Sequence, residues 1–122
     1  LPERVASGRP ATAAARRRLA VAAREALTAD PGALGLGDLA RLVGASPHHL
    51  SRVFQAETGV SLSRFRNRLR VRRALERLAA GETSLARLAA DLGFADHAHL
   101  TRTVREQLGH TPTQLRRMLE SG

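Results

Sequence analysis

Apolar residues recur along this chain three and four positions apart, the spacing that lines one face of a helix, and nowhere with the period of two that a half-buried strand requires. Leu19, Ala22, Ala23, Ala26 and Leu27 predict a helix over 11–29, which Asp30, Pro31 and Gly32 stop. A short helix over 36–43 begins at Gly35 and ends at Gly44, a residue suited to the left-handed conformation of a helix terminus. Ser46 then caps a helix whose first position is Pro47, where a missing N–H is harmless, and which runs to about Thr58 before Gly59 closes it. Leu50, Val53 and Phe54 share its inward face, so His48, Ser51, Arg52 and Gln55 point outward. The stretch 61–80 lacks Gly and Pro and predicts a helix of about 20 residues and ~30 Å, capped by Ser61 and ended at Gly81. Ser84 caps 85–92, and Asp96 caps a helix to about Leu108. Thr111 with Pro112 starts the last helix, which runs through Leu115 to Leu119. Residues 1–10, with Pro2, Pro10 and no apolar period, read as a tail or linker.

Part of this pattern is written twice. SPHHLSRVFQAETG at 46–59 lines up with DHAHLTRTVREQLG at 96–109, and Leu36, Leu39, Ala40, Val43 and Gly44 line up with Leu85, Leu88, Ala89, Leu92 and Gly93. The first offset is fifty and the second forty-nine, so one turn is a residue longer. Each copy is a short helix, a turn and a second helix, the order of a helix-turn-helix, whose second helix enters the major groove of DNA. In the second copy Leu100, Thr103 and Val104 stand for Leu50, Val53 and Phe54, which predicts a thinner core.

The long helix between the copies changes its buried face. On a wheel at ~100° per residue Leu62, Phe65 and Leu69 share one side, whereas Val71, Leu75 and Leu78 share nearly the opposite one. A helix built this way packs against two bodies. The expected fold is all-α, about seven helices, with two helix-turn-helix subdomains joined by a long bridging helix. The expected division is a tail or linker at 1–10, a first subdomain at 11–60, the bridge at 61–80 and a second subdomain at 81–122. A bridge of ~30 Å is close to the ~34 Å repeat of the duplex, so both reading helices could enter successive major grooves on one side. A monomer would then cover about two turns of asymmetric sequence.

Composition narrows the partner. A 122-residue chain that is 43% apolar has enough material for a core. Its twenty basic residues are all Arg, against eleven acidic ones, for a net charge of +9. A GC-rich genome accounts for Arg over Lys but not for the excess of positive charge, which implies a polyanion. The absence of Cys excludes a disulfide framework, a thiolate metal site and a thiol nucleophile. No apolar run approaches the ~18–20 residues that span a bilayer, and the start lacks a secretory apolar core, so a cytoplasmic protein without a membrane partner is expected. The opening at Leu1 without Met suggests a chain cut from something longer or processed.

Arg52 and Arg102 occupy equivalent outward positions, and a guanidinium there can form the bidentate pair with guanine O6 and N7, worth ~1–3 kcal/mol of discrimination. The competing reading is contact with phosphate alone, or pairing with Glu57 and Glu106. His48, Ser51 and Gln55 fill out the first surface, and His97, Ala98, His99 and Thr101 the second, so the two helices should read different half-sites. Arg66, Arg70, Arg73 and Arg77 form one stripe on the bridge, which either follows phosphates or is a solvated face. Arg16, Arg17 and Arg18 spread around their helix and read as solvated. His49 and His99 are equivalent, with structural or phosphate-facing roles, and Thr111 lies at a helix N-terminus able to meet phosphate. The histidines lack the i, i+4 spacing of a metal site. No oxyanion turn accompanies a Ser/His/Asp set and no P-loop is present, so neither metal, cofactor nor catalysis is expected. Two alternatives remain open: a sequence-indifferent architectural DNA- or RNA-binding protein, and a helical protein-interaction module.

The run GFADHAHLTRTVREQLGHTPTQLR at 93–116 and the run LSRVFQAETG at 50–59 closely resemble the DNA-binding domain of AraC/XylS-type bacterial transcription regulators, and the likeness covers about residues 11–119. The resemblance implies a head that reads an asymmetric site of around two DNA turns as a monomer and helps recruit RNA polymerase, with activation somewhat more usual than repression. It also implies, for most members, a further domain in the same chain that senses a small molecule or dimerises. Carried over position by position, the family's base-reading residues fall on His48, Ser51 and Arg52 in the first unit and on His97, Ala98, Thr101 and Arg102 in the second. The chain departs from the family pattern at Val104 and Leu108, where aromatics are usual.

Overall fold

The computed structural model describes residues 12–32 and 35–121 and places seven helices among them. They are α1 (Ala13–Ala29), α2 (Leu36–Val43), α3 (Pro47–Thr58), α4 (Leu62–Ala79), α5 (Leu85–Leu92), α6 (His97–Leu108) and α7 (Pro112–Ser121). No strand occurs among the described residues. The tail read at 1–10 lies outside them, as does Ala11. Helix α1 begins at Ala13 because Thr12 takes the capping position, its hydroxyl accepting from the Ala15 amide at 3.1 Å. Helix α7 runs past Leu119 to Ser121, whose hydroxyl donates to the carbonyls of Arg117 and Met118 and closes the last turn. The other boundaries follow the caps: the side chains of Ser46, Ser61, Ser84 and Asp96 each accept from the amide three residues on.

The apolar faces gather into two cores. Ala20, Ala23 and Leu27 of α1, Leu39 and Ala40 of α2, Leu50 and Phe54 of α3 and Leu62 of α4 form the first, with Phe65 and Leu69 packed against it. Val71, Ala74 and Leu78 of α4, Leu88, Ala89 and Leu92 of α5, Leu100 and Val104 of α6 and Leu115 of α7 form the second, closed by Phe94 from the turn. Helix α4 therefore gives one face to each core, as the wheel of its apolar residues requires. Each fully buried Leu or Phe contributes ~1.5–3 kcal/mol.

The expectation of a thinner second core is corrected by Phe94. The ring is 5% exposed and sits in the α5–α6 turn, where the first copy has the half-buried Ala45. The second turn is longer by Ala95, and at the position of Ala45 it carries the Phe94 ring inward, restoring much of the volume that Val104 lacks relative to Phe54. In the first core Phe54 meets Phe65 instead, with ring centroids 5.5 Å apart.

Contacts beyond the bridge tie the end of α1 to the second unit. A Cβ on Gly32 would lie 2.6 Å from the Leu92 carbonyl carbon, and one on Gly93 would lie 2.7 Å from the Gly32 carbonyl oxygen, so the two backbones touch where only Gly fits. Arg73 of α4 donates to the Thr28 carbonyl at 2.7 Å, satisfying an acceptor at the end of α1.

Candidate nucleic-acid interface

Helices α3 and α6 are set in place by their caps and by their buried triads. The His49 amide donates to Ser46 Oγ at 3.1 Å, and the His99 amide donates to Asp96 Oδ1 at 2.8 Å. Leu50, Val53 and Phe54 are buried in α3, and Leu100, Thr103 and Val104 in α6, which fixes the rotation of each helix about its axis. The opposite faces then carry exposed His48, Arg52 and Gln55 with half-buried Ser51, and exposed His97, Ala98 and Arg102 with half-buried Thr101. The structure thus groups the seven candidate base-reading residues into two equivalent outward faces.

Arg52 and Arg102 make no hydrogen bond or ion pair with any described residue. Glu57 does not approach Arg52; its carboxylate lies 3.9 Å from Arg16 Nε of α1. Both guanidinium forks therefore keep their five donors for a ligand or solvent. The equivalent histidines differ from them. His49 is half-buried, and His99 Nδ1 accepts from the Ala95 amide at 3.2 Å while its ring meets Phe94 edge-on at 5.1 Å. That bond leaves Nε2 as the proton-bearing nitrogen of a neutral ring and gives His99 a structural task in the turn. Thr111 is likewise engaged: its hydroxyl accepts from the Gln114 amide while Gln114 Oε1 accepts from the Thr111 amide, a reciprocal capping box.

The arginine stripe of α4 is not a continuous free face. Arg77 donates to Glu82 at 2.6 Å and lies 3.0 Å from Asp91, and Glu82 also accepts from the Ser84 amide, so this group clamps the α4–α5 turn. The hydrogen bond from Arg77 holds the Glu82 carboxyl below the usual carboxylate range, and the same pairing raises Arg77. Arg73 is engaged on α1. Arg70 stacks over the Phe94 ring at 5.3 Å from its centroid and donates to Asn67 Oδ1 at 3.5 Å. Arg66 alone of the four has no partner among the described residues. The stripe shares one helix face, but α1, the second turn, and Glu82 with Asp91, which no wheel displays, take up three of its four members.

Arg66 and Arg70 both open on a groove of about 350 Å³ between α3, the start of α4 and α6, lined also by Ser51, Gln55, Ser63 and His99. Burial lowers the pKa of both guanidinium groups, and Arg66 lowers that of Arg70 further by like charge. Reasoning from helical periodicity names Arg66 and Arg70 but misses this groove, together with Phe94 and Gly32. A capping-box pattern of Thr followed three positions later by Gln at 111–114 was the one local signal available for Gln114. Among the described residues no helix is long and apolar enough to cross a membrane, and no group of three metal-ligating side chains occurs.

Comparison with known proteins places this geometry. A family profile described as a helix-turn-helix domain matches residues 39–118. The chain is 37% identical over 79 residues to the HTH-type transcriptional regulator YfiF of Bacillus subtilis (strain 168), covering 65% of this chain and 25% of that protein. It is 40% identical over 78 residues to the bifunctional transcriptional activator/DNA repair enzyme Ada of Escherichia coli (strain K12), covering 64% and 22%. The chain spans about a quarter of the length of these relatives. The crystal structure of a transcriptional regulator from Chromobacterium violaceum, described as AraC-type DNA-binding domain-containing, superposes with a TM-score of 0.73 at 26% identity, covering 87% of this chain and 96% of that one.

Proposed function

The chain belongs to the AraC/XylS-type family of helix-turn-helix DNA-binding domains of transcription regulators, and on that premise we propose that it reads one double-stranded DNA site with α3 and α6 in successive major grooves. In this reading His48, Ser51 and Arg52 meet base edges in one half-site, and His97, Ala98, Thr101 and Arg102 in the other. Gln55 and His49 flank the first contact. The units act as a first head over 11–60, a bridge over 61–80 and a second head over 81–122. One observation carries the reading: Arg52 and Arg102 stand at equivalent positions on two capped helices, exposed and without a partner among the described residues, in a chain with an excess of positive charge. A free guanidinium fork on a reading helix favours the O6 and N7 edge of guanine by ~1–3 kcal/mol.

Selection of binding sites from random duplex DNA tests this. A sequence-specific reader prefers its selected site over random duplex by ~10³ or more at one salt concentration. Arg52→Ala relaxes preference at one guanine in one half-site, and Arg102→Ala does so in the other. Equal losses on every duplex for both variants would remove the base-reading assignment and leave an architectural binder that uses charge alone. At the level of the whole regulator we propose activation through RNA polymerase, a reading supported by the relative named as a transcriptional activator. Transcription in vitro from a promoter carrying the selected site decides the sign: output rises on adding the regulator for activation and falls for repression.

A further inference from the structure

We propose that the groove between the two reading helices seats a backbone phosphate of the DNA segment that spans the two half-sites, with Arg66 supplying the charge. The inference rests on the proposed docking of α3 and α6 on one duplex and adds a contact site between them. Two guanidinium groups face this groove and no carboxylate lines it. Their roles differ. Arg70 is held by the Phe94 ring and Asn67, whereas Arg66 is half-buried with no hydrogen bond or ion pair among the described residues. Partial burial of a cation without a counter-charge disfavours the unliganded protein, and an anion in the groove relieves it.

The rest of the lining suits the same ligand. Ser61 and Ser63 place the first turn of α4 at the groove, and the Ser61 hydroxyl already accepts from the Arg64 amide. The Leu62 and Ser63 amides at that 18-residue helix's N-terminus have no intrahelical acceptor, and they bring donors and the positive end of the helix dipole. Ser51 and Gln55 reach the groove from the outward face of α3, and His99 from α6. In the proposed docking the sugar-phosphate backbone between the half-sites crosses this opening, which lies between α3 and α6. The ligand class is therefore a phosphodiester, and its contact carries no base preference.

The test combines Arg66 variants with duplexes neutralised at single phosphates. The selected site is prepared with one methylphosphonate at each position between the half-sites, and affinities are measured for the unaltered protein, Arg66→Gln and Arg66→Lys. Arg66→Gln is expected to bind selected and random duplex about tenfold more weakly, as loss of one charge-assisted hydrogen bond implies. It should also reduce the slope of log K against log salt by ~0.9. At one or two positions methylphosphonate should weaken the unaltered protein about tenfold, add nothing to the loss in Arg66→Gln, and weaken Arg66→Lys as it does the unaltered protein. Thermal melts that superpose for the three proteins separate lost contact from lost fold. If the Arg66→Gln and methylphosphonate losses add at every position while preference for the selected duplex persists, the phosphate seat is overturned and the base-reading model stands. Absence of any preference for the selected duplex in the unaltered protein overturns the base-reading model instead.

Discussion

The two heads are written in nearly the same residues and are held in different ways. In the first, Gly44 ends α2 at φ +77 with open space where a Cβ would go, and half-buried Ala45 after it rests on its own core. In the second, Gly93 ends α5 at φ +80 with the Gly32 backbone pressed against it, Phe94 turned inward and Arg70 stacked on that ring. The aromatic anchor has moved as well, from the reading helix at Phe54 to the turn at Phe94. A repeated local sequence thus fixes the helix, turn and helix, while the surroundings decide which copy is pinned to the rest of the protein. The second head is the pinned one.

The largest expected effect tests the displaced aromatic. Phe54→Ala and Phe94→Ala should each destabilise the protein by about 3–5 kcal/mol in urea melts, because both rings fill buried space in their cores. A loss below about 1 kcal/mol for Phe94→Ala would mean that the turn ring does not stand in for the missing aromatic at Val104.

The glycines come next. Gly44→Ala introduces only the left-handed backbone penalty, ~1–2 kcal/mol, since its Cβ meets nothing within 4 Å. Gly93→Ala adds a clash with the Gly32 backbone, and should lose visibly more stability and raise amide exchange in the 30–32 segment. Equal losses at the two positions would erase the contrast between an open glycine and a pinned one.

The smallest effect is electrostatic. Glu82 is bound by Arg77 in the second unit, whereas the pair available to α2, Arg41 and Asp38, lies 3.5 Å apart on the exposed surface and contributes little. Because Arg77 depresses the folded-state pKa of Glu82, its stabilisation is present above the ordinary carboxylate range and fades as pH falls through the depressed value. Glu82→Gln should lower stability at neutral pH and flatten its acid dependence, while Asp38→Asn changes neither. Matched acid profiles for Glu82→Gln and the unaltered protein would leave the clamp without electrostatic weight.

Local chemistry made most of the fold legible. Ser46, Ser61, Ser84 and Asp96 announce helix starts through their side-chain acceptors, and Gly44, Gly59 and Gly109 announce ends. The switch from Leu62, Phe65 and Leu69 to Val71 and Leu78 announces a helix shared by two cores. The outward faces with Arg52 and Arg102 follow from the inward triads by subtraction. What the chain did not announce depends on segments distant in sequence. Gly32 and Gly93 meet only after both cores have formed. Arg73 finds the Thr28 carbonyl and Arg70 finds Phe94 across elements that no single wheel displays, so a stripe drawn on α4 alone looks like a track for phosphates. Phe94 reads as a loop residue until the longer second turn carries it inward.

In the proposed docking both heads sit on one duplex in a fixed mutual arrangement. That arrangement is tested most directly by the affinity of the protein for its selected site before and after about five base pairs, roughly half a turn of the duplex, are inserted between the half-sites. The insertion is expected to weaken binding about as much as scrambling one half-site outright, with partial recovery when about ten base pairs, a full turn, are inserted only if the duplex or the protein bends. Unchanged affinity after the five-base-pair insertion would contradict that arrangement, since heads that follow half-sites wherever they turn are not held together.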